Sequence, residues 1–364
     1  MGNVNVIGLM SGSSLDGIDM VDVDFWNDGE WRFKIIAKDS FEYDAGWKQQ
    51  LSEAYYMSSD ELHDLDVRYG KLLGDVTKAF IDRHNLKPEI VASHGHTIFH
   101  RPQERYTLQI GDGQALADTC RVEVINDFRT EDVLKGGQGA PLVPIGDKLL
   151  FSDYPLCLNI GGIANVSYDI DGQRIAYDIC IANQALNHLA GLADSDAQFD
   201  RDGLIARSGV IDNQLLEKLN THQYFTQKPP KSLGREFFEE NIKPLLVQAS
   251  HRISTQDMLA TFVEHIAVQV GKSIENQPVG KMLITGGGAK NKFLVERIQA
   301  NTRHEIVIPD NDIIDYKEAL IFAFLGLLRK RNEINVLKSV TGADSDSCSG
   351  RIFNVSKRIF SINE

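Results

Sequence analysis

Three glycine-rich turns carry most of the chemistry that this sequence can offer. The first is Gly8-Leu-Met-Ser-Gly-Ser-Ser-Leu-Asp-Gly-Ile-Asp19. Glycine permits the positive φ angles that turn successive amides inward, and hydroxyls beside such amides add further donors, so the turn can hold a phosphate. The spacing is not that of a P-loop, which needs GxxxxGK[ST] with a helix behind it. A tight hairpin with no ligand is the plainer reading of a lone Gly/Ser turn. The pattern recurs, however, at Gly161-Gly162 and at Gly286-Gly287-Gly288, each at the end of an apolar strand. Three such turns can converge in one cleft between two domains, two holding phosphates and the third an adenosine.

The elements that must position these turns follow from periodicity. Val4–Ile7 reads as a buried strand, and Ile18–Phe25 has apolar residues near every second position, so the first turn joins strand to strand. Trp31–Ala37 adds a third antiparallel strand. Ser58-x-x-Glu61 is a capping-box signal, followed by Leu62, Leu65, Tyr69, Leu73, Val76 and Phe80 at helical spacing down to His84. A short strand, 89–92, empties into Ser93-His-Gly-His-Thr-Ile-Phe-His100. A strand over 106–110, a helix near 112–119 and a strand over 122–126 precede a long polar loop, 127–144. Loops of that length in compact domains are functional or disordered, and its hydrophobics and two prolines favour an ordered one. At Leu156 the opening pattern recurs as strand, Gly161-Gly162, strand, then a third strand ending at Asp178; two domains begun alike point to a duplication. The helix 255–274 is amphipathic. Leu283–Asn291 leads from strand to the helix 292–300, whose N-terminus faces the glycines. The last long helix, 316–330, is small and apolar on nearly all sides, so it packs between other elements.

Composition narrows the class. The length of 364 residues suits two ordinary domains, and 42% hydrophobic with 24% charged residues is usual for a soluble globular protein. A net charge of −13 argues against nucleic acid as partner. No basic stretch precedes an apolar core, so no signal peptide is expected, and Val6 stands where a myristoylation motif wants Ser or Thr. The longest apolar run, 319–328, is too short for a bilayer. Cys120, Cys157, Cys180 and Cys348 are scattered, as in reduced cytoplasmic proteins. The sequons at Asn165 and Asn354 are therefore disregarded.

With these residues in view, the sequence resembles the 1,6-anhydro-N-acetylmuramic acid kinases, of the superfamily that holds sugar kinases and actin. The resemblance covers nearly the whole chain. It rests on Gly8–Asp19, Asp127-Phe-Arg129, Gly136-Gly-Gln-Gly-Ala-Pro-Leu-Val-Pro144, Leu158–Asn165, Asp315-x-Lys-Glu-Ala-Leu320 and Thr341-Gly-Ala343. It implies an α/β, two-domain actin-like ATPase (ribonuclease H-like) fold with an interdomain active-site cleft. Residues 1–145 would form a sugar- and phosphate-binding domain and 146–364 a nucleotide-binding domain, with the segment after about residue 335 packing back on the first. The implied reaction opens the intramolecular anhydro bond with water and phosphorylates the freed 6-oxygen from ATP, with Mg²⁺, in a cytoplasmic homodimer.

The same resemblance implies residue roles. Gly12, Ser13, Ser14, Leu15, Asp16, Gly17, Ile18 and Asp19 would bind the nucleotide together with Asn159, Gly161, Gly162, Gly286, Gly287, Gly288 and Asn291, with Asp16 toward the metal. His94, His96, Thr97, Arg129 and Asn183 would contact the sugar. Read as residues alone, His94, His96 and His100 are a weak metal pattern and equally ordinary loop histidines. Arg129 suits a bidentate fork on a lactyl carboxylate, and equally a salt bridge with Asp127 or Asp132. Asp178 stands where the family motif Asp-Thr-Gly-Pro-Gly-Asn begins and would be the base for the attacking water; an aspartate at a strand end is otherwise a helix cap. Two departures matter. His96 replaces the family glutamine, and Asp178-Ile-Cys-Ile-Ala-Asn183 lacks both motif glycines, so a positive φ there would be strained. A phosphohydrolase of the same superfamily and a non-catalytic sugar and nucleotide sensor are the rival readings.

Overall fold

The computed structural model describes residues 2–12 and 15–357, and divides the chain into two compact α/β units. The first runs to Leu150 and resumes at Tyr316; the second is Phe151–Asp315. The boundary thus falls a few residues beyond 145, and the return to the first unit begins at Tyr316 rather than near 335. No helix among the described residues is long and apolar enough to cross a membrane.

The first unit holds β1 (Val4–Met10), β2 (Gly17–Asn27), β3 (Trp31–Glu42) and β4 (Ile90–Ser93). A two-stranded sheet of β5 (His96–Arg101) and β6 (Tyr106–Ile110) follows, then β7 (Glu123–Asn126). The second unit holds β8 (Leu156–Ile160), β9 (Ile163–Ile170), β10 (Gln173–Ile181), β11 (Lys281–Thr285) and β12 (Glu305–Val307). The chain ends its sheet structure with β13 (Arg351–Phe353) in the first unit.

The strand orders are β13-β7-β4-β1-β2-β3 and β10-β9-β8-β11-β12. In each, three consecutive strands pair antiparallel and the first of them is joined on its other side by two parallel strands. Setting β13 aside, the two sheets are the same, which carries the duplication from a pattern in sequence to a shared topology. Both opening hairpins join strand to strand, as the alternation requires; β1 pairs with β2 from Val4↔Phe25 to Met10↔Asp19.

The cores follow from the apolar stripes. In the first unit Leu65, Tyr69, Leu73 and Phe80 of the helix Ser59–His84 meet Ile7, Leu9 and Val91 of the sheet. That helix starts with a complete capping box, Ser58 accepting from the Glu61 amide and Glu61 from the Ser58 amide. In the second unit Leu259, Phe262, Val263 and Ile266 of the helix Thr255–Ile274 cover Leu158, Val166, Ile181 and Ile284. The loop over 127–144 contains a short helix, Thr130–Leu134, and leads into a second, Pro144–Leu150.

The helix expected over 316–330 spans Asn311–Lys330. Its small residues have a specific use in the first unit, since Ala319, Ala323 and Gly326 lie on Gly8 of β1 and Ala92 of β4. A Cβ at Gly8 would stand 2.0 Å from the Ala319 carbonyl oxygen, and one at Gly326 would stand 2.5 Å from Ala92 Cβ. Only glycine fits at Gly8, because the obstacle is helix backbone. Gly8→Ala is therefore expected to cost about 1–3 kcal/mol by overpacking, seen as a lower urea midpoint at unchanged m-value. An unchanged midpoint would contradict this seating.

Candidate active site

In the second unit the strand register builds a row of polar groups. Asp178 on β10 lies opposite Asn165 on β9, Asn165 opposite Asn159 on β8, and Asn159 beside Thr285 on β11. Neighbouring strands lie roughly 4.8 Å apart. Asn159, Asn165 and Asp178 are half-buried, whereas the residues on either side of each in its strand are apolar and mostly buried. Asn165 and Thr285 were not singled out from sequence; the signal was available in the register that pairs them with Asn159 and Asp178.

β10 does not end at Asp178 but continues to Ile181, so Asp178 caps no helix. A bulge at Ile179 shifts the pairing between Asp178 and Cys180. A bulge re-aims the side chains beside it. Positive φ angles occur nowhere from 178 to 183, so no residue there needs the left-handed conformation that glycine favours. Ile179, Cys180, Ile181 and Ala182 are all buried and extend the core instead.

Three contacts from the segment 224–233 hold Asp178. The Tyr224 hydroxyl donates to the Asp178 carbonyl at 2.7 Å, the Asp178 amide donates to the Lys231 carbonyl at 3.3 Å, and the Leu233 amide donates to Asp178 Oδ2 at 2.8 Å. Oδ1 takes no hydrogen bond within the described residues. Burial raises the carboxyl pKa and the Leu233 N–H opposes that shift. Lys231 Nζ lies 4.5 Å from the centre of the Tyr224 ring, which ties the segment together.

The glycine turn at 161–162 is bonded to the start of the helix Asn183–Ala193, and the turn at 286–288 packs beside it. The amides of Ala182 and Gln184 donate to Gly162 O, and the amide of Asn183 donates to Gly161 O. Asn183 Nδ2 donates to Ile160 O at 3.1 Å. Gly286 has φ +79°, and a Cβ there would come within 2.7 Å of Asn159 Oδ1 and Ile160 O; glycine is needed for both angle and space. A Cβ at Gly287 would touch Asn183 Nδ2 at 3.5 Å, and Gly288 abuts the Ile160 side chain. Asn159, Gly161, Gly162, Asn183, Gly286, Gly287 and Gly288 therefore share one neighbourhood. Gly287–Lys290 forms a 3₁₀ turn before the helix Lys292–Ala300, which Asn291 caps by accepting from the Leu294 amide.

In the first unit, Ser13 and Ser14 lie outside the described residues. Gly12 and Leu15 are half-buried at the hairpin tip, Leu15 at φ +60°, and Asp16 is exposed. Gly17 opens β2. Ile18 points into the core, so only its backbone can face a ligand. Asp19 is half-buried and accepts from the Ser40 hydroxyl at 2.7 Å. Among the described residues no group of three His, Cys, Asp or Glu side chains is placed to hold a metal ion.

The Arg129 guanidinium donates to His94 Nε2, at 2.9 Å from Nη2 and 3.1 Å from Nε, and from Nη1 to the Gly139 carbonyl at 2.6 Å. It makes no salt bridge with Asp127 or Asp132. Since His94 Nε2 accepts, the neutral ring carries its proton on Nδ1; burial and the Arg129 charge hold its pKa well below the usual histidine range. Burial likewise lowers Arg129 to about 10, against which the carboxylate of Glu318 acts. Glu318 is exposed on the helix Asn311–Lys330, within the motif 315–320. Beside it, the buried Lys317 and Asp147 pair at 2.6 Å. Thr97 is half-buried and accepts from Gln109 Nε2 at 3.3 Å.

Asp132 has a different task. Fully buried, it accepts from the Gly139 amide at 2.8 Å and from the Thr341 hydroxyl at 2.7 Å. The Gln138 amide donates to Thr341 O at 2.8 Å. Thr341 thus fixes Asp132, Asp132 fixes Gly139, and Gly139 fixes Arg129.

The two α/β units share one strand order; one carries a glycine-lined polar row and the other an arginine–histidine pair. Comparison with known proteins gives the family. A family model described as "Anhydro-N-acetylmuramic acid kinase" matches residues 4–355. Proteins called anhydro-N-acetylmuramic acid kinase in Sulfurovum sp. (strain NBC37-1) and Aliivibrio fischeri (strain ATCC 700601 / ES114) are each 33% identical. The alignments cover 97% and 95% of this chain and 100% and 98% of those proteins. Among solved structures, component A of Acidaminococcus fermentans (R)-2-hydroxyglutaryl-CoA dehydratase aligns over 89% of this chain and 97% of its own, at 14% identity and TM-score 0.48. The chain belongs to the anhydro-N-acetylmuramic acid kinase family.

Thr341→Val keeps shape but removes one donor from buried Asp132, which is expected to destabilise the protein by about 1–3 kcal/mol. Faster tryptic cleavage at Lys135, in the loop that Asp132 secures, is the companion measurement. A variant as stable and as resistant as the parent would remove Asp132 from this role.

Proposed function

We propose that the protein is an ATP-dependent kinase that opens 1,6-anhydro-N-acetylmuramic acid with water and phosphorylates its 6-oxygen, giving N-acetylmuramic acid 6-phosphate and ADP. The observation that carries the mechanism is the state of Asp178: half-buried, one carboxylate oxygen tied to the Leu233 amide, the other without a hydrogen bond among the described residues. Oδ1 takes a proton from water, whose oxygen bonds to the anomeric carbon. The bond from that carbon to the 6-oxygen breaks, its electron pair stays on the 6-oxygen, and this oxygen bonds to the γ-phosphorus as ADP leaves. Desolvation raises the basicity of the carboxylate, and the Leu233 amide opposes that shift.

Positioning and charge neutralisation supply most of phosphoryl transfer. The nucleotide reading assigns backbone amides of the hairpin from Gly12 to Asp19, including Ser13 and Ser14, and the neighbourhood of Asn159, Gly161, Gly162 and Gly286–Gly288, with Asn291 at the helix start. Asp16 suits Mg²⁺ as a single carboxylate, exposed and without a hydrogen bond among the described residues. The ion ordinarily takes one or two carboxylates, with phosphate and water oxygens filling its shell, and it neutralises phosphate charge. The sugar reading assigns His94, His96, Thr97, Arg129 and Asn183. Arg129 spends part of its donor set on His94 and Gly139 but keeps N–H groups for a carboxylate. The same reading has the enzyme in the cytoplasm and as a homodimer, the latter measurable by light scattering on a sizing column.

Asp178→Asn removes the basic lone pair and the charge, so turnover is expected to fall roughly a hundred- to ten-thousand-fold with little change in ATP affinity. In oxygen-18 water the wild-type product should carry label on the anomeric hydroxyl and none on phosphate. Labelled phosphate, or near-normal activity of the asparagine variant, would sink the assignment.

The pH profile offers a separate check. A base works as its carboxylate, so the rate rises with pH through the Asp178 pKa. Leu233→Pro deletes the N–H that opposes the burial shift, so the acid limb should move to higher pH, whereas Leu233→Ala, which keeps the amide, should leave it in place. Equal profiles for the two variants would mean that this amide does not tune the base.

A further inference from the structure

One face of β2 carries an acid where the alternation calls for an apolar residue. Ile18, Met20, Asp22 and Asp24 share that face. The helix Ser59–His84 covers it, and Ile18 and Met20 pack with its Val76 and Phe80 in the core. Asp22 is 1% exposed. Beside it on β1 is Asn5, whose Nδ2 donates to Asp22 Oδ2 at 3.0 Å and to Asp24 Oδ1 at 2.9 Å. Both amide protons of Asn5 are thereby used. Two buried oxygens, Asn5 Oδ1 and Asp22 Oδ1, have no hydrogen-bond partner among the described residues.

These two oxygens are the second atoms of groups already joined by one hydrogen bond. Neither an amide oxygen nor an ionised carboxylate donates, whereas a protonated carboxyl does. One proton on Asp22 Oδ1, donated to Asn5 Oδ1, satisfies both atoms at once. Turning the amide over exchanges the roles of the oxygens without supplying that proton, and it takes from Asp24 its donor. A cation fits no better, since the Asn5 N–H groups point at both carboxylates. The surroundings act in both directions. Burial is the largest influence and raises the Asp22 pKa, the Asn5 N–H opposes it, Asp24 raises it further and His84 at the helix end opposes; the pKa is pushed up from 3.8 to about 6. Further out, β1 places Ile7 opposite Asp22, and β3 places Ala37 opposite Asp22 and Lys34 opposite Asp24. Arg83 of the helix pairs with Asp39 of β3, and Glu89 gives its amide to the Asn5 carbonyl.

We propose that Asp22 and Asn5 form a proton-binding site, a cyclic carboxylic acid–amide pair that ties β1 to β2 and weakens when its proton leaves for solvent. The pair lies toward the open end of the β1–β2 hairpin, away from the Gly/Ser turn, so it acts on the stability of the first unit and not on the reaction. The direction follows from linkage. A group whose pKa is raised by folding contributes stability below its unfolded value, near 3.8, and that stability is lost as the pH rises through about 6. The first unit is therefore held more firmly on the acid side of neutrality.

Asp22→Asn tests the pair, because an asparagine amide is the neutral isostere that makes both hydrogen bonds without a bound proton. Urea unfolding of the full-length wild type and variant is compared from about pH 4.5 to about pH 8. The variant should match the wild type at the acid end and exceed it at the alkaline end, the ratio of their folding constants changing roughly ten- to thirtyfold. Taking the ratio cancels the other titrating groups. In ¹³C spectra of the aspartate-labelled protein, with the same variant used to assign the resonance, the Asp22 carboxyl should titrate near pH 6. The Asn5 side-chain amide should shift with the same midpoint. Titration of Asp22 at the ordinary value of 3.8, as a carboxylate bridged to Asn5 by a buried water would show, overturns the pair, and so does an Asn5 amide that stays fixed. A variant that fails to fold, or is less stable than the wild type across the whole range, overturns it equally, since loss of a charge-assisted hydrogen bond has that effect.

Discussion

The first unit depends on a close approach of backbone to backbone. With no side chain at Gly8, the helix Asn311–Lys330 can lay the Ala319 carbonyl directly on β1, while Gly326 rests on Ala92 of β4. That contact is why the chain, after building the whole second unit, returns to the first at Tyr316. Its consequence is chemical as well as structural. The first turns of that helix within the unit bring Tyr316 to Ser40, Lys317 to Asp147 and the Glu318 charge to Arg129. Residues some two hundred positions from Arg129 in sequence become its electrostatic surroundings.

The second unit solves the same problem with register rather than contact. Its sheet repeats the strand order of the first. The pairing that buries Leu158, Val166 and Ile181 also aligns Asn159, Asn165 and Asp178 in one row. The bulge at Ile179 lets β10 keep its apolar run in the core on one side while Asp178 remains half-accessible. The glycines of the related motif are unnecessary where the strand simply continues, and Ile179 and Cys180 gain burial in exchange.

Each unit holds a polar side chain in place through a further layer of hydrogen bonds. Thr341 and Asp132 act on Arg129 through Gly139; Tyr224, Lys231 and Leu233 act on Asp178 through its backbone and one carboxylate oxygen. Such partners cost little to keep, because each satisfies a buried polar atom that would otherwise be orphaned. Placement, not residue type alone, then biases protonation: burial next to a cation holds the His94 pKa well below the usual histidine range, while burial raises that of Asp178 against the opposing Leu233 amide.

Sequence by itself determined the class of each local element and the candidate residues. The strand-turn-strand openings, the capping box at Ser58, the helices 255–274 and 292–300 and the glycine turns were legible because period, caps and glycine act within a few residues of one another. Tertiary structure decided what depends on distant pairing. The extension of β10 past Asp178, the bulge at Ile179, the row through Asn165 and Thr285, the return of the chain at Tyr316 and the preference of Arg129 for His94 over Asp127 or Asp132 all required knowing which strand or loop lies opposite. No local rule carries that information: a hydrogen-bond partner is chosen by which groups burial brings within 3 Å, and burial is settled only when the whole sheet and its helices are assembled.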